Sequence, residues 1–308
     1  MELQANKKNI WREIWKARYI YLLLAPVVIY LLMFNYAPMY GIQIAFKDFK
    51  ARLGIWGSEW VGLENFEKIF STPTAIHAIL NTLRISFGRL AFEFPMGIVI
   101  AVLLTEMPGK KVKKAYQTLF TFPHFLSWVV VGTLLRNFLA SDGAINQLIT
   151  SMGGESVRFL GTESLFRPML YLTSNWKSMG WEAIIYMAAI AGIDTSLYEA
   201  AEIDGASRLQ RIWHITLPGI KVTVVVMLIL AVGGIMNSGF DQIFNLKNTM
   251  VYDAATTLDI YVYDLTFTGV PDYSFSTAVG LFKTIINLIL MLTANKVTSM
   301  ITGEKMFG

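Results

Sequence analysis

The sequence has no cysteine and few charged residues. Of its 308 residues, 16% are charged and 54% are hydrophobic, and the mean hydropathy is +0.48. A soluble domain has about 25% charged residues, so this chain has too few of them to cover itself with a polar surface. The absence of cysteine excludes a thiolate nucleophile, a Cys-ligated zinc site and a disulfide. The composition therefore predicts a membrane protein.

Sequence motifs of catalysis are also missing. There is no G-x-x-x-x-G-K-[ST] nucleotide-binding loop, no H-E-x-x-H and no G-x-S-x-G. The three histidines, His77, His124 and His214, are too scattered to suggest a metal site. We therefore predict that the chain is not an enzyme and itself binds no metal or cofactor. A polytopic protein of this kind is expected to move a solute, with energy from a gradient or from a partner.

Six apolar stretches are long enough to cross a bilayer, whose core requires about 20 residues of helix. They cover approximately residues 19–39, 79–104, 118–139, 170–190, 222–240 and 275–295. The fourth is the most polar, because Asn175, Lys177 and Glu182 interrupt it. The predicted fold is all-α, a polytopic membrane protein with six transmembrane helices.

The distribution of lysine and arginine orients the chain. With the N-terminus inside, the inner segments hold about twice as many of these residues as the outer ones, which satisfies the positive-inside rule. The clearest inner marker is the group of four lysines within residues 109–114. Both termini are therefore predicted to be cytoplasmic. The domain organisation is an N-terminal segment 1–18, a six-span domain 19–300 and a tail 301–308.

The N-terminal segment has a pattern of its own. Ile10, Trp11, Ile14 and Trp15 fall on one helical face beside lysine and arginine residues. This pattern is typical of a short helix in the membrane interface, and the alternative is a disordered basic tail. No small-residue cleavage site follows the first apolar run, so we interpret that run as an uncleaved helix.

The predicted inner loop 194–221 carries the most informative pattern. Thr195 or Ser196 can cap a helix, and Gly205 marks a break after it. A second basic, amphipathic stretch follows and is predicted to end at Leu217-Pro218, because proline cannot continue a helix interior. The loop is therefore predicted to form a helix–turn–helix elbow that fits into a cavity.

The full spacing of this loop, E-A-A-x₃-G-x₉-I-x-L-P, resembles the EAA loop of binding-protein-dependent ABC importers. The residues that match the motif are Glu199, Ala200, Ala201, Gly205, Ile215, Leu217 and Pro218. Residues 60–66 and 240–244 are similar to segments of sugar permeases in that family. Residues 35–41 are similar to permeases for polysaccharide fragments and lipoprotein-associated sugar uptake. Residues 248–250 depart from the Gly-Gly-Pro that many sugar permeases have there.

The resemblance implies a MetI-like (type I importer) transmembrane domain in the bacterial cell membrane. It implies a second, homologous permease subunit, two cytoplasmic ATPase subunits that hold ATP and Mg, and an extracellular sugar-binding lipoprotein. The elbow would couple the permease to the ATPase, and the transported molecule would be an oligosaccharide. The alternative class is a gradient-driven secondary transporter of small polar solutes, but the two halves show no convincing internal repeat.

Polar residues in the predicted spans are candidates for the substrate pathway, because such residues are costly in lipid. The candidates are Asn175, Lys177, Trp181, Glu182, Asn237, Asp241, Gln242, Lys283 and Asn287. Sugars require hydrogen-bonding groups and flat apolar rings, which this set offers. The alternative is that these residues satisfy each other or the seam with the partner permease.

Charged residues in the spans suggest two further hypotheses. Arg89 and Glu93 are four residues apart and can pair on one helical face, either as a structural clasp or as part of the pathway. The cations Arg136, Lys177 and Lys283 would suit an acidic oligosaccharide such as a uronide.

Overall fold

The computed structural model describes residues 15–302, which are almost entirely helical. Residues 1–14 and 303–308 hold most of the predicted N-terminal helix and of the C-terminal tail, and they lie outside the described residues. The all-α prediction is confirmed for the part described.

The first helix, α1, covers Arg18–Leu31 and continues through a π turn at Leu32–Tyr36 and short turns up to Phe46. None of the residues of α1 is buried, so its apolar surface is free to contact lipid or another chain. The π turn directly precedes Pro38. A widened turn at this point accommodates a proline, which lacks the N–H of a regular helix.

A small hairpin follows α1. Strand β1 (Lys47–Asp48) pairs antiparallel with β2 (Glu59–Trp60), and helix α2 (Gly54–Gly57) lies between them. Helices α3 (Glu64–Ser71) and α4 (Pro73–Glu106) come next. Proline is well placed at the start of α4, where its missing N–H has no helical partner.

The predicted third span, 118–139, is wrong as a single helix. Helix α5 (Lys110–Thr121) leads into a 3₁₀ turn at Phe122–Phe125, and α6 (Trp128–Leu139) leaves at an angle of 97°. Ser127 separates the two because its hydroxyl accepts a hydrogen bond from the Val130 N–H and caps α6. We call residues 122–127 the first break.

Two helices follow α6. They are α7 (Ala144–Ser151) and α8 (Glu163–Ala191). Helix α8 contains the predicted fourth span, 170–190, and packs along α4 over much of its length. Glycines allow the close approach, since a Cβ at Gly97 would lie 3.1 Å from the Cβ of Glu182. At Gly180, a Cβ would overlap the backbone carbonyl of Phe120.

The predicted fifth span, 222–240, also ends earlier than expected. After the elbow, whose helices are α9 (Thr195–Ile203) and α10 (Arg208–Arg211), helix α11 covers only Lys221–Gly233. Residues 234–239 are not helical, and Gly239 has a left-handed φ of +79°. We call residues 234–239 the second break. The glycines at its two ends explain why the helix stops there.

The remaining helices complete the bundle. They are α12 (Phe240–Leu246), α13 (Tyr252–Ala255), α14 (Leu258–Phe267) and α15 (Tyr273–Thr302). One apolar cluster joins α3, α4, α14 and α15 through residues such as Ile69, Leu258 and Phe275. A second joins α4, α8 and α12, and a third joins α4, α8 and the end of the elbow.

Three helices of the described residues are long and apolar enough to span a membrane. They are Arg18–Phe46, Pro73–Glu106 and Tyr273–Met300. The number rises to five if each of two bent helix pairs counts as one span, namely Lys110–Phe125 with Trp128–Phe138 and Arg208–Gly219 with Lys221–Gly233. Helix α8 has 29 residues but is too polar to be included in this set. The bundle is therefore that of a multi-pass membrane protein.

Candidate functional site

The first arm of the elbow, α9, is capped by Asp194. Its carboxylate accepts a hydrogen bond from the Ser196 N–H at 2.9 Å, so the predicted caps Thr195 and Ser196 lie one and two residues too late. Hydrogen bonds from the backbone and side chain of Ser196 lower the pKa of Asp194, because they stabilise the charged form.

The turn of the elbow is made by Gly205, as the sequence predicted. Its φ is +77°, a left-handed conformation that glycine adopts without a steric penalty. The following N–H, that of Ala206, donates to the carbonyl of Ala201 at 2.8 Å and so closes the end of α9. The second arm begins at Ser207, which forms a reciprocal capping box with Gln210.

The second arm ends at Gly219, one residue beyond the predicted end at Leu217-Pro218. Helical structure continues through a π turn at Ile212–Thr216 and a last turn at Leu217–Gly219. Pro218 lies in the first turn of that last segment, where its missing N–H costs little. The elbow therefore connects to α11 through an almost continuous helix, bent by 62°.

Two polar contacts hold the arms together. Arg211 pairs with Glu202 at 3.1 Å, and the hydroxyls of Tyr198 and Thr216 share a hydrogen bond of 2.9 Å. Four of the motif residues are exposed, namely Glu199, Ala200, Gly205 and Pro218, and the other three, Ala201, Ile215 and Leu217, are half-buried. Leu217 packs against the bundle. The motif therefore has an exposed face and a side chain, that of Leu217, that attaches the elbow to the helix bundle.

Large apolar side chains project from the elbow. Ile203 is 87% exposed, and Leu209 and Trp213 are also largely exposed. Ile203 was not among the predicted site residues, although an isoleucine beside Asp204-Gly205 in a polar loop could have indicated it. Apolar side chains around a polar rim are typical of a surface that binds another protein.

At the first break, two side chains of α8 contact the non-helical turn. The Lys177 ammonium donates to the His124 carbonyl at 2.6 Å, and the Trp181 ring stacks on the His124 imidazole with 4.4 Å between centroids. Phe125 lies edge-on to Trp181. Trp181 is 44% and Phe125 is 70% exposed. The result is an accessible aromatic surface beside a cation, of which His124 and Phe125 were not predicted.

At the second break, the side chain of Arg89 joins three helices. From α4 it donates to the Ser174 hydroxyl on α8 at 3.3 Å and to the Gln242 side-chain oxygen on α12. Its Nε lies 3.9 Å from the Glu93 carboxylate. The guanidinium also covers Gly239, since a Cβ there would lie 2.5 Å from Nη1.

Glu182 and Asn237 line one cavity with Arg89 and Glu93. Its volume is about 240 Å³, and it lies between α4, α8 and α11. Glu182 therefore points away from Lys177 and Trp181, although all are on α8. The structure thus assigns these three candidates to two different sites.

The other pathway candidates differ in whether their side chains are bonded inside the chain or exposed. Gln242 is buried and donates to the Leu170 carbonyl and the Thr173 hydroxyl. Lys283 pairs with Asp259, and Asn287 accepts a hydrogen bond from the Met236 N–H at 3.0 Å. In contrast, Asn237 and Asp241 are exposed and Asn175 is half-buried.

The helices that follow the two breaks pack on each other. The Arg136 guanidinium of α6 donates to the Asn245 carbonyl of α12, and Gly132 allows the close approach at this point. Broken helices at membrane depth are tolerated where they are buried in protein or line a water-filled cavity. Two such breaks, with polar side chains beside them and an elbow at one end, define a membrane transport subunit.

Comparison with known proteins specifies the family. Residues 93–299 match the binding-protein-dependent transport system inner membrane component. The chain belongs to this family, so the resemblance inferred from the EAA spacing is confirmed. The chain is a transport component and not an enzyme.

Relatives cover almost the whole chain. Protein LplB of Bacillus subtilis (strain 168) is 42% identical over 99% of this chain and 96% of its own length. The polygalacturonan/rhamnogalacturonan transport system permease protein YteP of the same strain is 43% identical, over 98% and 94%.

A crystal structure shares the fold. It is that of a bacterial ABC transporter involved in the import of the acidic polysaccharide alginate. One of its chains superposes with a TM-score of 0.88 at 36% identity, covering 96% of this chain and 100% of that chain. The predicted MetI-like importer fold is therefore confirmed.

Proposed function

We propose that this chain is a permease subunit of an ATP-driven importer of acidic oligosaccharides. An extracellular binding protein delivers the sugar, and a second, homologous permease completes the pore. The single observation that carries the proposed cargo is the first break, where the exposed rings of Trp181 and Phe125 stand beside Lys177. Aromatic faces suit sugar rings, and a lysine suits a carboxylate.

The names of similar proteins support an acidic cargo. One relative is named for polygalacturonan and rhamnogalacturonan transport, and a structural neighbour is an alginate transporter. Another structure of the alginate transporter contains a periplasmic protein bound to alginate pentasaccharide. Uronic acids provide the common chemistry, a carboxylate on each pyranose ring.

The proposed topology has six spans with both termini in the cytoplasm. The three long apolar helices, the bent pair of α5 and α6, α8 and α11 supply the six. Helix α8 is polar because it contacts both breaks, and burial against α4 allows a polar helix to reside in the membrane. The lysines of α5 and the elbow then lie on the cytoplasmic side.

The elbow is the proposed contact with the ATPase. Ile203, Leu209 and Trp213 would enter a groove of the ATPase domain, with Glu199 and Gly205 on the same exposed loop. ATP and Mg would be held by two ATPase subunits, and this chain would hold none. The elbow can transmit force because Arg211 and Tyr198 tie its arms together.

The proposed substrate contacts are the accessible candidates. They include Lys177 and Trp181 at the first break and Asn237 and Asp241 around the second. Gln242, Lys283 and Asn287 make contacts inside the chain, which favours a structural role for these three. Glu182 faces the cavity beside Arg89.

Reconstitution tests the proposal. The chain is assembled in proteoliposomes with its partner permease, ATPase subunits and binding protein, and uptake of a labelled trigalacturonate is measured with and without ATP. The matched control is the same trisaccharide with its carboxyls reduced to alcohols. We expect ATP-dependent uptake of the acidic form only. Equal uptake of both forms would exclude the acidic specificity, and ATP-independent uptake would exclude the importer.

A further inference from the structure

The side chain of Arg89 occupies a position that the proposed function does not explain. Its side chain is 15% exposed and lies in the membrane part of the bundle, where an arginine is costly. It reaches α8 at Ser174 and α12 at Gln242, and pairs with Glu93 on its own helix. These contacts converge on the second break.

Arg89 contacts the end of the second break at two points, Gly239 and Gln242. Gly239 has a left-handed φ of +79°, and the guanidinium packs directly over its Cα. Gln242, in the first turn of α12, accepts from Arg89 and donates to the Leu170 carbonyl at 2.9 Å and the Thr173 hydroxyl at 2.8 Å. Arg89 and Gln242 together therefore attach the start of α12 to α8.

Two exposed polar residues lie close to Gly239 in the sequence. Asn237 precedes it by two residues and Asp241 follows it by two. The start of the break is held separately, because Ile235 and Met236 are buried in the apolar cluster of α3, α4, α14 and α15. The Asn287 side chain accepts from the Met236 N–H, and the Asn237 N–H donates to the Gly234 carbonyl.

We propose that Arg89 is a positioning residue of the transport pathway, one that holds the turn at Gly239 and thereby fixes Asn237 and Asp241 toward the transported molecule. The proposal rests on the proposed function in assigning those two residues to the pathway. In this role Arg89 supports the turn and does not bind the cargo: Nη1 and Nη2 donate to Ser174 and Gln242, and Nε lies 3.9 Å from the Glu93 carboxylate.

The experiment uses the absence of cysteine. A single introduced cysteine therefore carries the only nitroxide on the chain. One labelled protein carries Asp241→Cys, and a second, the control, carries Thr284→Cys on the exposed surface of α15. Both are measured in the assembled complex. The test variant is Arg89→Met with Glu93→Gln, which removes both charges together and leaves neither unpaired. The matched variant is Glu93→Gln alone, which keeps the bonds from Arg89 to Ser174 and Gln242.

We expect the double variant to increase nitroxide mobility at position 241 and to raise the KM for sugar-loaded binding protein several-fold. Glu93→Gln alone leaves the Arg89 charge without its partner and should lower the yield of assembled complex, but in the complex that assembles it should change neither the mobility at 241 nor the KM. The label at 284 should be unaffected. An unchanged signal at 241 with an unchanged KM would overturn the proposal. An equal change at 284 would also overturn it, because that result indicates general loosening of the bundle.

A second variant covers the case in which the double variant does not assemble. Gln242→Leu removes the acceptor on α12 and leaves Arg89 with Ser174 and Glu93. It should likewise mobilise the label at 241, and an unchanged label would overturn the proposal. The nitroxide result does not depend on the cargo. A complex that imports a different solute would therefore refute the proposed specificity and leave the positioning role standing.

Discussion

The Lys177 ammonium donates a hydrogen bond to the His124 carbonyl oxygen, with 2.6 Å between nitrogen and oxygen. This bond crosses from α8 to the first break, where the backbone has left the regular helix. An ammonium has three donors, so the remaining ones are available to a ligand. One residue can therefore both hold the broken helix and present a charge beside the exposed ring of Trp181.

We expect Lys177→Met to impair transport of acidic oligosaccharides more than that of neutral ones. A hydrogen bond to a charged group contributes about 1.5–3 kcal/mol, so the KM for trigalacturonate should rise about tenfold or more. The measurement is uptake of trigalacturonate and of its carboxyl-reduced form by the reconstituted complex. Lys50→Met, on the exposed hairpin, is the control. Equal effects on both sugars would contradict recognition of a carboxylate by Lys177.

Gly180→Ala should destabilise the protein strongly. The added methyl group would overlap the backbone of Phe120 at the end of α5, and backbone cannot move aside as a flexible side chain can. Overpacking of this kind costs about 1–3 kcal/mol. The measurement is the temperature at which the purified protein in detergent loses its monodisperse chromatographic peak.

Gly280→Ala is the matched control for that variant. Gly280 is also inside a long helix, α15, but a Cβ there would meet no atom within 4 Å. Alanine favours a helix over glycine by about 1 kcal/mol, so this variant should be as stable as the parent or more so. If the two variants behave alike, close packing of α5 on α8 does not determine stability.

The substitution Gly205→Val should uncouple the permease from its ATPase without unfolding the bundle. A β-branched residue in a left-handed conformation costs about 1–2 kcal/mol, and Gly205 has a φ of +77° at the turn of the elbow. The ATPase should co-purify poorly and uptake should fall. Glu199→Lys, which reverses a charge on the exposed face of the same loop, should have the same effect.

The control for the elbow is Gly153→Val. Gly153 has a comparable φ of +86° and open space around it, but it lies in the loop after α7. It should carry the same local strain and keep the ATPase bound. Retention of the ATPase and of uptake by both elbow variants would refute the coupling assignment.

The elbow shows why some features were predictable from sequence. Its turn requires a left-handed residue, and only glycine adopts that conformation freely, so Gly205 is visible in the sequence itself. The capping residue was misplaced because aspartate, serine and threonine all cap helices and stand side by side at 194–196.

The two breaks could not be predicted in the same way. Hydropathy averages over about 20 residues and does not detect a few non-helical residues inside an apolar run, so spans three and five were drawn as single helices. The partners of Lys177, Arg89 and Gln242 come from helices distant in sequence. Composition thus identified which polar residues lie in the membrane, and the fold alone determined which of them meet.

A double-mutant cycle on Lys283 and Asp259 separates a structural role of Lys283 from a role in the pathway. The two side chains form an ion pair between α15 and α14, and each is only about a fifth exposed. Removing one partner of a buried pair leaves an unpaired charge, at a cost of about 3–5 kcal/mol, whereas replacing both is often nearly neutral.

Lys283→Met and Asp259→Asn alone should therefore each reduce the amount of folded protein, and the two substitutions together should restore it. Because Lys283 and Asp259 pair with each other inside the bundle, uptake of trigalacturonate by the double variant should return toward the parent value. A double variant that folds and assembles but does not transport would show that Lys283 acts on the cargo directly.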